Sequence, residues 1–427
     1  MICTDATAVY QNPRCITCGK EKVTYDCKGC QQSFCFNHLA EHQNELSQQL
    51  DGFEYRRDEF YEQLSQRIKN CTKKPIMKYL ANIEVSLKTL SEQMKELRHE
   101  NNFNEINIDY LKNELENLEK QLSQPENSIL FPKIDIPLGL QWMTAGTTIV
   151  GGNGSGNGLN QISHPCGIDV DCDGTIYVAD TDNNRIVESK DGTITIYEDQ
   201  MKRPRDVIID QENDSLIISD EGNRRVIRWS RQNRNNYEII ISNIDCWGLA
   251  MDQYGYLYVV DFEKHEVRRW KIGEQQGILV AGGNGRGHLR NQLNEPRYIF
   301  VDDNRTVYVS ERENHRVMKW SKDAKEGIIV AGGHGKGSNL NQLFHPAGIL
   351  VDQHETVYIG DTWNNRVVRW FKDAKQGEVI FGGNSQGEQA NQLNYPIDFS
   401  LGKGYQFHIV DHNNHRVQRF AFRGLVA

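Results

Sequence analysis

From about residue 138 onward the chain is a repeated alternation of apolar runs and turn residues. Each unit holds three short runs rich in Val, Ile and Tyr, separated by Asp-Gly, Asn-Asn or Pro. The clearest units read NQLNEPRYIFVDDNRTVYVSERENHRVMKW (Asn291 to Trp320) and NQLFHPAGILVDQHETVYIGDTWNNRVVRW (Asn341 to Trp370). Short runs of alternating polarity bounded by such residues predict strands. A fourth run follows five of the triplets: Thr193 to Tyr197, Tyr237 to Ile241, Gly277 to Ala281, Gly327 to Ala331 and Gly377 to Phe381. An acid stands five residues before an Arg, or its substitute, at Asp180, Asp220, Asp261, Glu311, Asp361 and Asp411, in steps of 40, 41, 50, 50 and 50 residues. Four strands at such a period predict the blades of an all-β, six-bladed propeller. The sixth unit lacks a fourth run. Thr147 to Gly151 (TTIVG) matches the fourth-strand text, so it is expected to pair with Arg416 to Phe420 and close the ring. Closure removes open sheet edges.

Upstream the period changes. Leu80, Ile83, Leu87, Leu90, Met94 and Leu97, then Ile108, Leu111, Leu115, Leu118 and Leu122, follow a heptad-like spacing, with Asn101 and Asn104 in the two slots between. An earlier seam runs Leu46, Leu50, Phe53, Phe60, Leu64, with Arg57 and Arg67 at core slots. Sustained spacing of this kind predicts an α-helical coiled coil that joins two chains, with a break near Pro75. The expected organisation is a disordered stretch over 1–12, a small cysteine-rich domain over 13–44, the coiled coil over 45–124, a Pro-containing linker over 125–137 and the propeller over 138–427.

Composition is that of an ordinary globular chain: 427 residues, 38% hydrophobic, 25% charged, net charge −9. No apolar run is long enough to span a bilayer. MICTDATAVYQNPRC shows no basic region followed by an apolar one, so the expected location is cytoplasmic. In that compartment clustered cysteines favour metal over disulfides. They are clustered: Cys15-x2-Cys18-x8-Cys27-x2-Cys30-x4-Cys35-x2-His38-x3-His42. Paired Cys-x2-Cys knuckles are the bite of zinc, and a segment this short would take folding energy from the metal. Two tetrahedral sites need eight ligands and seven are visible. Glu45, Cys3 or water are candidates for the eighth, and a single zinc is the alternative.

The propeller units resemble NHL repeats, whose signature is a Pro-x-Gly-Ile strand, a Tyr-Val-Ala-Asp strand and an Asn-x-Arg-Val strand. Glu266 replaces the Arg of unit three, and units two and three lack the GGxGxG loop. The finger resembles a B-box-type and, nearly as well, a HIT-type zinc finger. That likeness implies Cys15, Cys18, Cys35 and His38 around one ion and Cys27, Cys30 and His42 around the other. The order of finger, coiled coil and propeller resembles tripartite-motif proteins, whose helices pair antiparallel. Many NHL relatives carry a RING domain with ubiquitin ligase activity. Here the chain offers one finger's worth of ligands, so ligase activity would require this finger to bind an E2 itself.

The Asp-x-x-Asn-x-Arg text recurs through the six units, exact in four, with Glu311 in unit four and Lys264 and Glu266 in unit three, and such repetition points to architecture rather than catalysis. The loops Gly282 to Gly287 and Gly332 to Gly337 follow a strand but precede no helix, so they lack the phosphate-binding mechanism of a nucleotide loop. Function is expected where the units differ, on the face formed by the loops entering each blade and those joining its second and third strands. The candidates there are Arg205, Trp247, Arg297, Tyr298, Trp363 and Tyr395 for a protein partner, since aromatics and Arg suit recognition. Arg203, Arg205, Arg224, Arg225 and Arg228 are the candidates for RNA. Residues 138–427 hold 32 Lys and Arg against 37 Asp and Glu, which weakens the RNA reading. The function expected is a zinc-binding, non-catalytic scaffold, dimerised by its coiled coil, that captures a macromolecule on the propeller. A role as substrate receptor in ubiquitin ligation is one form of it. RNA binding and ligase activity through the finger are the alternatives.

Overall fold

The computed structural model describes residues 8–9, 24–26, 33–70, 74–100, 105–123, 134, 136–137, 139–234 and 236–425. The chain divides into two compact units, Met1–Ile129 and Leu130–Ala427.

In the first unit the strands Ala8–Val9, Thr24–Asp26 and Ser33–Cys35 form a small antiparallel sheet. Three helices follow: α1 (Phe36–Asn70), α2 (Lys74–Glu100) and α3 (Glu105–Leu122). Lys112 Nζ donates to Gln49 Oε1 at 2.9 Å and Arg56 Nη2 to Glu119 Oε2 at 2.8 Å, so α1 and α3 run the same way. Arg57 lies beside Met94, Tyr61 beside Glu84, and the Tyr79 hydroxyl donates to the Gln121 carbonyl, so α2 runs against both. The result is an up-down-up bundle.

Its core is the predicted seam, with Leu50, Leu80, Leu87, Met94 and Leu115 fully buried within a single chain. This differs from the expectation of one seam from Leu80 to Leu122 facing a second chain. The helix ends at Glu100 and restarts at Glu105 in the opposite sense, and the two halves of the seam pack with α1. An apolar stripe records only that a face is buried; a neighbouring helix of the same chain satisfies it as well as a partner does.

The second unit is the propeller. Blade 1 is built from Ile168–Val170, Ile176–Asp180, Arg185–Lys190 and Thr193–Tyr197. Blades 2 to 5 repeat that four-stranded meander, starting from inner strands Pro204–Asp210, Cys246–Met251, Pro296–Val301 and Pro346–Val351. Blade 6 has Pro396–Gly402, Gln406–Asp411 and Arg416–Phe420, and its outer strand is Thr147–Gly151 from the start of the unit. The register is Arg416↔Gly151, Val417↔Val150, Gln418↔Thr148 and Arg419↔Thr147, so the ring closes as the sequence predicts. A second seal, which the pattern did not announce, pairs Phe422–Leu425 with Leu140–Trp142. Trp142 stands edge-on to Phe407 at 5.1 Å.

The repeated acid, Asn and Arg form one clamp in each of five blades. In blade 5 Asp361 accepts from the Phe344 amide at 2.7 Å, from Asn364 Nδ2 at 2.8 Å and from Arg366 Nε at 2.7 Å. The rest of that guanidinium donates to the carbonyls of Ser338, Asn339 and Gln342. The glycine loop is thereby tied to the next blade. Asp180, Asp220, Glu311 and Asp411 repeat the pairing with Arg185, Arg225, Arg316 and Arg416. In blade 3, where Glu266 replaces the Arg, Asp261 takes Lys264 at 2.9 Å and Glu266 takes Arg268 at 2.6 Å.

Candidate functional site

The turn between the second and third strands puts one residue per blade in the left-handed region: Asn184, Arg224, His265, His315, Asn365 and His415, with φ from 50 to 56°. Asn is the residue that tolerates this conformation best after Gly. Five of these side chains serve the next blade. Asn184 Oδ1 accepts from the Arg203 amide, His265 Nδ1 from Glu295, His315 Nδ1 from His345, Asn365 Oδ1 from Tyr395 and His415 Nδ1 from His164. The histidines do the work of asparagine, and an acceptor imidazole must be neutral. Burial holds the proton affinities of His265, His315 and His415 below the ordinary value.

These staples bring the entering loops together around one mouth of the channel. Going round it, Arg205 lies 4.3 Å above the Trp247 ring and Arg297 3.8 Å from it. Arg297 and Arg312 share Glu295 at 3.0 and 2.7 Å. Glu313 links Arg312 to His345, each at 3.4 Å. His345 packs on Trp363 at 4.8 Å, and Trp363 Nε1 donates to the Tyr395 hydroxyl at 2.9 Å. Tyr395 reaches His412 at 5.4 Å, and His412 Nδ1 lies 3.9 Å from Cys166 Sγ, itself 3.7 Å from Arg205. The band therefore closes through all six blades. It unites Arg205, Trp247, Arg297, Trp363 and Tyr395 from the sequence-predicted set. Trp363 is 46% exposed, the most open of them. Burial would raise the Cys166 thiol, but hydrogen bonding and charge from His412, with Arg205, bring it to about 7.

Tyr298, the remaining candidate, lies inward of this band and is 3% exposed. It stands at the third position of the Pro-x-Gly signature, where blades 1, 3 and 5 keep Gly167, Gly248 and Gly348 and blades 2, 4 and 6 carry Asp206, Tyr298 and Asp398. A Cβ on those glycines would fall 2.5 to 2.8 Å from the Cα of the large residue in the next blade. Small and large residues thus alternate around the inner ring because adjacent strands approach closely. Asp206 accepts from the Leu249 amide at 2.8 Å and Asp398 from Ile168 at 3.1 Å, both across a blade boundary. Burial, outweighing these amides, pushes Asp206 up to about 8 and Asp398 well above the carboxylate range. The sequence reading missed the two acids, although their departure from the glycine of the signature was visible.

The arginines that suggested RNA are committed elsewhere. Arg203 and Arg205 approach Glu221 at 3.6 and 3.2 Å, Arg224 pairs with Asp245 at 2.8 Å, Arg225 with Asp220 at 2.6 Å, and Arg228 with Glu238. They form no free basic patch among the described residues.

Of the zinc candidates, Cys15, Cys18, Cys27 and Cys30 lie outside the described residues. Cys35 ends the strand Ser33–Cys35, His38 and His42 lie in α1, and His38 Nε2 is 3.8 Å from Glu41. Among the described residues no group of three or more His, Cys, Asp or Glu is placed to hold a metal. No described helix is long and apolar enough to cross a membrane.

The NHL repeat family matches residues 163–188, which span the entering loop and most of the first three strands of blade 1. No curated protein matches the chain. Among solved structures, a protein of unknown function from Bacteroides thetaiotaomicron superimposes with a TM-score of 0.55 at 18% identity, over 65% of this chain and 76% of that one. An auxiliary nutrient binding protein from the same organism gives a TM-score of 0.55 at 14% identity, over 66% and 78%. One from Bacteroides ovatus gives 0.53 at 14%, over 67% and 78%. The chain therefore carries an NHL repeat within a six-bladed β-propeller, preceded by a region of three helices.

Proposed function

We propose that the protein is a non-catalytic scaffold that captures a protein partner on the propeller face bearing the closed band. The observation that carries this is the convergence of Arg, Trp, Tyr and His side chains from six blades on one channel mouth. Such composition marks the energetic centres of protein interfaces. Pairing of the blade-2 arginines with acids favours a protein over RNA. Replacing Trp363 and Tyr395 together by Ala tests it. Loss of partners retained by the parent chain, with an unchanged melting temperature, is the expected result; full retention sinks the reading.

Zinc on Cys15, Cys18, Cys27, Cys30, Cys35, His38 and His42, as one or two ions, belongs to the same proposal, as does a place in ubiquitin ligation as a substrate receptor. Both rest on the cysteine spacing and on resemblance to tripartite-motif proteins, which is an argument by analogy. Metal content of the purified chain tests the first, with zinc expected and its loss on Cys15→Ser plus Cys18→Ser. Ubiquitin transfer with purified E2 enzymes separates an adaptor, inactive alone, from a ligase. Dimerisation through the helices is not part of the proposal, because the seam that suggested it is filled within one chain.

A further inference from the structure

The sector of the mouth at blades 2 to 4 holds more buried hydrogen-bond donors than the protein satisfies. Two guanidinium groups lie over the Trp247 ring, those of Arg205 and Arg297, at 4.3 and 3.8 Å from its centroid. Arg297 has no carboxylate of its own; it shares Glu295 with Arg312. Trp247 Nε1, Arg297 Nη1 and the Tyr298 hydroxyl are buried with no hydrogen-bond partner in the protein. An indole N–H and a guanidinium can only donate, and a phenol can do so. The group that would complete any of them is an acceptor, and beside the Arg297 guanidinium a negatively charged one. Burial, then repulsion from Arg312, holds the proton affinity of Arg297 down, the sign expected of a cation short of anions.

We propose that Arg205, Trp247, Arg297, Tyr298 and Arg312 form a binding site for a carboxylate carried by a peptide, an inference that rests on the protein-capture reading. A nucleic acid fits less well. Stacking a base needs an open aromatic face, and here two guanidinium groups already lie over the Trp247 ring.

The test uses the full chain and short fluorescein-labelled peptides that differ only in Glu or Gln at the same positions, each with a free or an amidated C-terminus. A uridylate oligonucleotide of equal length is the competing probe. The Glu peptide is expected to bind about tenfold or more tightly than its Gln counterpart. Arg297→Gln, and separately the more exposed Arg312→Gln in case the first disturbs folding, should each remove that preference. If amidation alone abolishes binding, the carboxylate is a C-terminal one; if it has no effect, a side chain supplies it. Equal binding of Glu and Gln peptides, or a Glu preference that survives both substitutions, overturns the proposal. Uncharged peptides that bind equally and are lost on Trp363→Ala would overturn it while leaving protein capture standing. Tighter uridylate binding, lost in the same Arg variants, would overturn both.

Discussion

A single buried carboxylate shows how the repeated residues hold the propeller. Asp361 is fully buried and meets Arg366 Nε at 2.7 Å. Burial raises its proton affinity in spite of that pairing, because desolvating a charge is costly. Removing one partner from such a pair leaves an uncompensated charge, so Arg366→Ala should destabilise the propeller by about 3–5 kcal/mol, read by denaturant unfolding. The left-handed histidines give a second prediction. The folded-state proton affinities of His265, His315 and His415 are lowered, so the unfolded chain binds protons first on acidification. Their contribution is present above about pH 6.5, the unfolded value, and is lost as pH falls through the lower folded values. Replacing all three by Asn, the residue that makes the same bond in blades 1 and 5, should flatten this acid limb in a pH series of melting temperatures. A limb as steep as the parent's would refute the acceptor role. The clamp was legible because five copies exposed it. The staples were not: nothing in the spacing tells that a His ring nitrogen accepts from the next blade.

At the scale of elements, one strand decides whether the ring is closed. Val150 is 4% exposed and faces Val417 in the blade 6 register. Val150→Asp places a carboxylate in that core and should cost about 3 kcal/mol or more, while Thr147→Asp, exposed on the same strand, should stay within about 0.5 kcal/mol. Unfolding followed by tryptophan fluorescence reads this directly, since all seven Trp lie in the propeller unit. The closing strand could be read because TTIVGG matches the fourth-strand text of blades 3, 4 and 5. The helical reversal could not. Asn101 and Asn104 keep the heptad phase between Leu97 and Ile108, so the apolar period runs unbroken through the point where the chain changes direction. The register of a stripe carries no information about which helix covers it.

At the scale of the whole molecule, the blades act as a frame that gathers loop side chains distant in sequence, Cys166 to His412 among them, onto one mouth. That the loops would share a face was legible from topology. That their side chains would join hand to hand was not, because each contact crosses between blades whose relative rotation no local pattern encodes. The most direct measurement installs a photo-crosslinking side chain at Trp363, on the band, and in a second version at Tyr254, 54% exposed in the loop joining the first two strands of blade 3. Discrete protein adducts are expected from position 363 that disappear in the Arg297→Gln background, and none of those adducts from position 254. Identical adducts from both positions, or adducts from 254 alone, would contradict capture at the channel mouth.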